Sequence, residues 1–382
     1  MLMPRSALLL LVAAVLLLPA CGKQIMEKSP PPEPTLRELA ARHDLLIGPA
    51  VGTGVFKNAL DDDPDNDDRY YLPIIANQFS IITPENAGKF GPLSTGPNRW
   101  DFDTLDAMVD WARDQQIKVR MHASLWHIQV PRWLTEGDWT DDQVQAFARN
   151  YLTTIGHRYG DRMAYWDVVN EPIDVKADDG LRRNLWYKTM GPDYLAAAYR
   201  WAHAAAPDVK LVINDYGMWR GGAKADRMYE LVRRLLAEGV PVHAVGFQAH
   251  LLSGHRVDKD AVASNLQRFA DLGLEVHITE MDVSIMPFLA EIEEGKFDRP
   301  VGDDPMRAAL KRQADIYADM LEAALRVDRF TVFQTWGYTD RYTWVHGYLN
   351  RPEDRPLLLS EDYERKPAWE AIEKVLAAPP AR

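Results

Sequence analysis

The chain has 382 residues, enough for one barrel-sized domain or two ordinary ones, and its 47% hydrophobic and 26% charged content is that of an ordinary globular protein. A formal charge of −12 and a pI near 5.3, with no run of Lys and Arg able to track phosphates, argue against nucleic acid as a partner. The twelve Trp stand out: core packing accounts for many of them, but aromatic faces also stack on sugar rings and other flat apolar ligands.

Arg5 precedes an apolar run from Ala7 to Leu18, the length of a signal-peptide core and too short to span a bilayer, which takes roughly 20 residues. The run ends in Leu18-Pro19-Ala20-Cys21, and Cys21 is the sole cysteine, so no disulfide contributes to the fold. This resembles a bacterial lipoprotein signal. Residues 1–20 are then a signal peptide, and lipid on Cys21 anchors an exported protein to a bacterial membrane. The alternative is simple secretion with an incidental thiol. Gly22 rather than Asp after Cys21 points to the outer membrane if the source is Gram-negative. Residues 21–35, with Pro30-Pro31-Pro32 and Pro34, read as an extended tether. No second linker follows, so residues 36–378 read as one compact domain; the protein is expected to be monomeric.

Inside that domain short β-rich runs alternate with helical patterns. The expected strands are Leu45 to Val51, Gln78 to Thr83, Ile117 to Ala123, Ala164 to Asn170, Val209 to Asp215, His243 to Ala249, Leu274 to Glu280 and Phe330 to Trp336. Most are near-continuous apolar runs, as strands covered on both faces should be. Between them, Phe102, Leu105, Val109 and Ala112 make one apolar stripe. Thr140 to Gln143 reads as a capping box ahead of Val144, Phe147, Tyr151 and Ile155, and Asp304-Pro305 starts a helix carrying Leu310, Tyr317, Leu321 and Ala324. Trp369, Ile372 and Leu376 mark a last helix. Eight strands each followed by a helix specify an α/β fold, a single (β/α)8 TIM barrel, whose functional residues gather where the strands end.

Two expected strand ends carry a glutamate: the fourth finishes Asn170-Glu171-Pro172 and the seventh runs through Thr279-Glu280-Met281-Asp282. Strands four and seven lie across the barrel mouth from each other, so the two carboxylates can flank a bound glycosidic bond. A single strand-end Glu is more often a salt-bridge partner. The pair is what suggests chemistry.

The ordered motifs Ile82-Thr83-Pro84-Glu85-Asn86, His122 with Trp126-His127, Trp166 to Glu171, Leu211 to Tyr216, Gly246 to His250, Thr279 to Val283 and Trp336-Gly337 resemble glycoside hydrolase family 10, the retaining endo-xylanases, over roughly residues 45 to 376. The resemblance implies endo-hydrolysis of β-1,4-xylosidic bonds in xylan or xylo-oligosaccharides, without metal or other cofactor. It implies Glu171 as general acid/base, which must begin protonated, and Glu280 as an ionised nucleophile. Asn170 would bond the sugar 2-hydroxyl, and His250 would bond the nucleophile with Asp282 behind it. Glu85, Asn86, Lys89, His122, Trp126 and Gln248 match positions that hold non-reducing-side sugars, and Trp336 and Trp344 the aromatic walls of the cleavage subsite. Gln248 and His250, two apart on one strand, are expected to share a face. His127 reads as a core histidine, and His122 and His127 lack a third ligand for a metal.

Phe90, Met121, Ala123 and Thr343 depart from the family pattern around the glycone side of the cleft. The acidic run Asp61 to Asp68 lacks the Gly and Glu of a calcium loop and reads as a solvated loop, while Gly52 and Gly54 read as a turn. Two alternatives stay open: a related barrel glycosidase acting on β-1,3-xylan, glucan or mannan, and a non-catalytic surface glycan-binding lipoprotein. The second is disfavoured because both carboxylates are present.

Overall fold

The computed structural model describes residues 33–61, 66–293 and 304–380. The leader, Cys21 and most of the tether lie outside them.

Eight parallel strands form a closed barrel, β1 Leu46–Val51, β2 Ile81–Pro84, β3 Lys118–Met121, β4 Tyr165–Asn170, β5 Lys210–Asp215, β6 Ala244–Phe247, β7 Glu275–Ser284 and β8 Phe330–Thr335, each pairing with the next and β8 with β1. The expected (β/α)8 barrel is the observed fold. All six residues of β4 and all ten of β7 are buried, with helices on one side and the barrel lumen on the other; in β7 the buried positions include the polar Glu275, His277, Thr279, Glu280, Asp282 and Ser284, so its burial does not show as an apolar run.

At the bottom of the lumen Ile81, Tyr165, Val212, Ala244 and Val332, from β2, β4, β5, β6 and β8, pack as one apolar layer. Higher up the lumen turns polar, with Arg120, Asp167 and Asn214 each 1% exposed or less. Gly48 in β1 is required by close approach, because a Cβ there would fall 1.6 Å from the Ile81 carbonyl oxygen.

The helices behave as their sequences suggest. Thr140 and Gln143 exchange both capping-box hydrogen bonds at the start of helix Asp141–Tyr159. Asp304 accepts from the Arg307 N–H at 3.1 Å ahead of Pro305 in helix Pro305–Ala324. The helix Pro367–Ala377 buries Trp369 and meets the N-terminal helix segment through His43, whose Nε2 lies 3.0 Å from the Leu376 carbonyl.

Three expectations need correcting. Gln78 ends a helix, Tyr71–Gln78, and β2 begins only at Ile81. β7 does not stop at Glu280; it continues to Ser284 by pairing with a short strand His250–Leu252. The acidic run is not simply solvated. Asp68 is 5% exposed and bonds Tyr342, and Asp67 pairs with Arg341, so this part of the loop is tied to the segment after β8.

Candidate active site

Glu171 follows the last residue of β4 with φ +56°, a left-handed conformation that turns its carboxyl inward over the barrel mouth. Glu280 enters from β7, where the pairing register with β8 shifts between Ile278 and Met281. Both are largely buried, 8% and 5% exposed.

An amide network joins them. Asn214, on β5, donates from Nδ2 to Glu280 Oε1 at 2.7 Å and to Asn170 Oδ1 at 3.0 Å. Its orientation is fixed because Thr279 Oγ1 donates to Asn214 Oδ1 at 2.8 Å. Gln248 donates from Nε2 to Asn170 Oδ1 at 3.3 Å and to Glu171 Oε1 at 3.2 Å. Asn170 Oδ1 is thus saturated by two amides, and its Nδ2, only 3.5 Å from Glu171 Oε1, is the arm left to reach a ligand hydroxyl. Gly246 makes room for this network: a Cβ there would fall 2.3 Å from Asn214 Oδ1 and 3.0 Å from an Arg120 nitrogen.

A second arrangement sets the charge of Glu280. His250 lies between two carboxylates, Nε2 3.3 Å from Glu280 Oε2 and Nδ1 2.9 Å from Asp282 Oδ2. Burial pulls the imidazole pKa down, but the charge and hydrogen bond of Asp282 and those of Glu280 outweigh it and push it up to about 10. The ring is then an imidazolium donating to both sides. Burial raises the Glu280 carboxyl, yet the His250 hydrogen bond, the nearby His122 and His250 charges and the Asn214 amide leave it below the usual carboxylate range. Trp344 donates its indole N–H to Asp282 Oδ2 at 2.7 Å and sits 5.1 Å from the His250 ring.

On the opposite flank, Lys89 donates to Asn86 Oδ1 at 3.1 Å, with its ammonium 4.8 Å from the Trp126 ring and 5.7 Å from Trp336. Burial lowers its pKa, against the pull of Glu280, Glu85 and Glu171. Burial likewise raises Glu85, opposed chiefly by Lys89. His122 gives Nδ1 to Asp167 at 2.7 Å and meets Trp336 edge-on at 5.1 Å. Asp167 is buried, which raises its pKa, but the Arg120 charge and the His122 bond win and hold it below the usual range.

All twelve residues expected to be catalytic or to bind substrate, with the supporting Asp282, therefore meet in one connected set at the strand ends; Cys21 lies outside the described residues. Two carboxylates, one held ionised by an imidazolium and the other against neutral amides, can divide nucleophile and acid duties across a glycosidic bond.

The chain matches the family model for Glycosyl hydrolase family 10 over residues 38–375. The chain belongs to glycosyl hydrolase family 10. It is 31% identical over 367 residues to endo-1,4-beta-xylanase B of Thermotoga neapolitana, covering 96% of this chain and 97% of that protein. It is 34% identical over 306 residues to beta-1,4-xylanase of Dictyoglomus thermophilum, covering 79% and 84%. Among solved structures it resembles xylanase 10B from Thermotoga petrophila RKU-1 in complex with xylobiose, with TM-score 0.79, 32% identity and coverage of 90% and 97%.

Several residues that the structure brings to the site escaped the sequence reading. His127, expected in the core, places Nδ1 3.7 Å from Glu171 Oε2, and burial lowers its pKa. Asn214 was visible only as part of a motif, and Gln129 donates to Asn86 at 3.1 Å. Gln248 and His250 share the site but not one strand face: β6 ends at Phe247, and Ala249 between them has φ +57°. Gly52 connects β1 to helix Thr53–Asn58, and a Cβ there would fall 3.3 Å from Glu85 Oε2.

The departures sort by position. Phe90 does not line the cleft; it is buried, stacked on Tyr151 at 4.1 Å and near Trp186 at 6.0 Å. Met121 is buried beneath Gly88, where a Cβ would fall 2.8 Å from its sulfur. Thr343 caps helix Trp344–Tyr348 by accepting from Val345 N–H at 3.3 Å, a role its hydroxyl performs as serine would.

Proposed function

We propose that this chain is an endo-1,4-β-xylanase that hydrolyses xylan or xylo-oligosaccharides with retention of configuration. The hydrogen-bonded chain Glu171–Gln248–Asn170–Asn214–Glu280 supports this reading, because it holds two carboxyls in one network at the barrel mouth, as a retaining acid/base and nucleophile pair needs.

In the first step Glu280 attacks the anomeric carbon while Glu171 delivers its proton to the departing oxygen. The imidazolium of His250 keeps Glu280 negative until attack, and Asn214 fixes the attacking carboxyl. Asn170 Nδ2 donates to the 2-hydroxyl of the reacting sugar, a contact that tightens in the transition state. Glu171 Oε1 already accepts from Gln248, which leaves Oε2 to carry the transferable proton. In the second step Glu171, now a carboxylate, removes a proton from water as it attacks the glycosyl ester. Lys89, Asn86, Glu85 and His122 bond sugar hydroxyls on the non-reducing side, and Trp126, Trp336 and Trp344 wall the sugars.

The test is a polysaccharide panel with reducing-end assay and NMR of the first-formed anomer. β-1,4-Xylan should be cut, giving β-configured product first. Release from β-glucan but not from β-1,4-xylan would overturn the substrate, and an α-configured first product the mechanism.

The reading extends to export and attachment of a monomer through lipid on Cys21, supported by the apolar run and Leu18-Pro19-Ala20-Cys21. Cys21→Ser should release the enzyme from the membrane fraction, and unchanged fractionation would contradict the anchor.

A further inference from the structure

Glu171 is held in its left-handed conformation from three directions. Its N–H donates to the Asn214 carbonyl at 2.8 Å, and its carbonyl accepts from Arg182 Nε at 2.8 Å. Two residues on, past Pro172, the Ile173 N–H donates to Asp215 Oδ2 at 3.0 Å. Asp215 is the last residue of β5 and fully buried. Its other oxygen accepts from the Tyr216 N–H at 2.8 Å and from Lys224 Nζ at 2.7 Å.

Lys224 comes from the first turn of helix Ala223–Ala237, and its ammonium also rests 3.1 Å from the centroid of the Tyr216 ring. Arg182 reaches the Tyr216 hydroxyl at 3.2 Å. The Asp215 carbonyl accepts from the N–H of Gln248, the residue whose side chain holds Glu171. Burial pushes the Asp215 carboxyl up to about 6 against the opposing Lys224 charge, so the ammonium is what keeps it an anion able to grip the Ile173 amide. A buried pair of this kind adds little net stability compared with apolar packing, so a geometric role better accounts for it.

We propose that the buried Asp215–Lys224 pair is a positioning device that clamps the Glu171–Ile173 turn and so aims the Glu171 carboxyl at the leaving-group oxygen. Neither residue touches the reacting atoms. The proposal rests on Glu171 being the acid/base, and the test separates the two.

The experiment measures kcat and kcat/KM of Lys224→Met, Lys224→Arg, Asp215→Asn and Glu171→Ala on aryl β-xylobiosides, with phenol as the poor leaving group and 2,4-dinitrophenol as the good one. The value of kcat/KM reports the first step, which needs a proton from the enzyme only when the leaving group is poor. Lys224→Met should lose at least about tenfold in kcat/KM on the phenyl substrate and stay within about twofold on the dinitrophenyl one. Its kcat on the dinitrophenyl substrate should fall and recover with added azide, which needs no general base, and Lys224→Arg should restore most of the phenyl activity.

Equal losses on both substrates, or no loss on either, would overturn the positioning role. If Glu171→Ala itself shows no leaving-group dependence, the acid/base assignment fails instead. If Asp215→Asn does not fold by circular dichroism, Lys224→Met and Lys224→Arg decide alone.

Discussion

Two histidine–carboxylate clusters draw on β7, one near each end of the barrel, and they have opposite electrostatics. Near the mouth, two carboxylates flank His250 and push its pKa up to about 10. Near the floor, His277 is fully buried, with Nε2 3.3 Å from Glu275 and 3.1 Å from Thr331. Burial dominates there, the Arg120 charge adds to it, and the pKa falls to about 4. Glu275, which also pairs with Lys210 and accepts from Tyr165 at 3.0 Å and Thr331 at 2.8 Å, pulls the His277 pKa up by its hydrogen bond and charge, but less than burial pushes it down. The same residue type is a fixed cation on the short strand beside the mouth, where charge is needed, and a neutral structural group on β7 near the floor, where it is not. The mouth is built for charge developing in a reaction; the floor is built for packing.

Substitutions that break this contrast should scale accordingly. Glu280→Ala removes the attacking atom and should lower kcat/KM on xylan by more than about 10⁴-fold while leaving thermal stability near wild type. Asn214→Ala removes the amide joining the two halves of the site and should cost about 10²–10³-fold in kcat. His250→Gln should lower activity and also flatten the alkaline limb of stability. The folded pKa of His250 is raised, so its stabilisation is present below about 6.5 and lost as pH rises through about 10. Melting temperature should therefore decline less in the variant than in wild type across that window.

His277→Gln should do the reverse, with activity within about twofold of wild type. Its folded pKa is lowered, so the neutral ring contributes fully above about 6.5 and that contribution is lost as pH falls through about 4. The variant should show a shallower fall in melting temperature on that acid limb. A large loss of activity in His277→Gln would mean that the two ends are not independent.

The barrel was legible in the sequence because several strands buried on both faces, β1 among them, appear as apolar runs, and Glu171 and Glu280 were legible because that architecture gathers function toward the strand ends. What escaped depended on local backbone that no pattern announces. The left-handed residues Glu171 and Ala249 redirect neighbouring side chains, so Gln248, just past the end of β6, and His250, at the start of the short strand, reach one site. The continuation of β7 to Ser284 needs a pairing partner, His250–Leu252, found outside its own sequence. His127 looked like any core histidine, and only the fold brings it to Glu171. Phe90 matched a cleft position by alignment of motifs, yet its flat contact with Tyr151 draws it into the core.

The most direct test of the central claim is to trap the intermediate. A 2-deoxy-2-fluoro-β-xylobioside with a good leaving group slows both steps but leaves the second slower, so a glycosyl-enzyme accumulates when the mechanism is double displacement. Peptide mapping by mass spectrometry should place one fluoro-xylobiosyl group on Glu280, with turnover restored as the ester hydrolyses. A label on another side chain, or no covalent adduct while the substrate is consumed, would contradict the assignment.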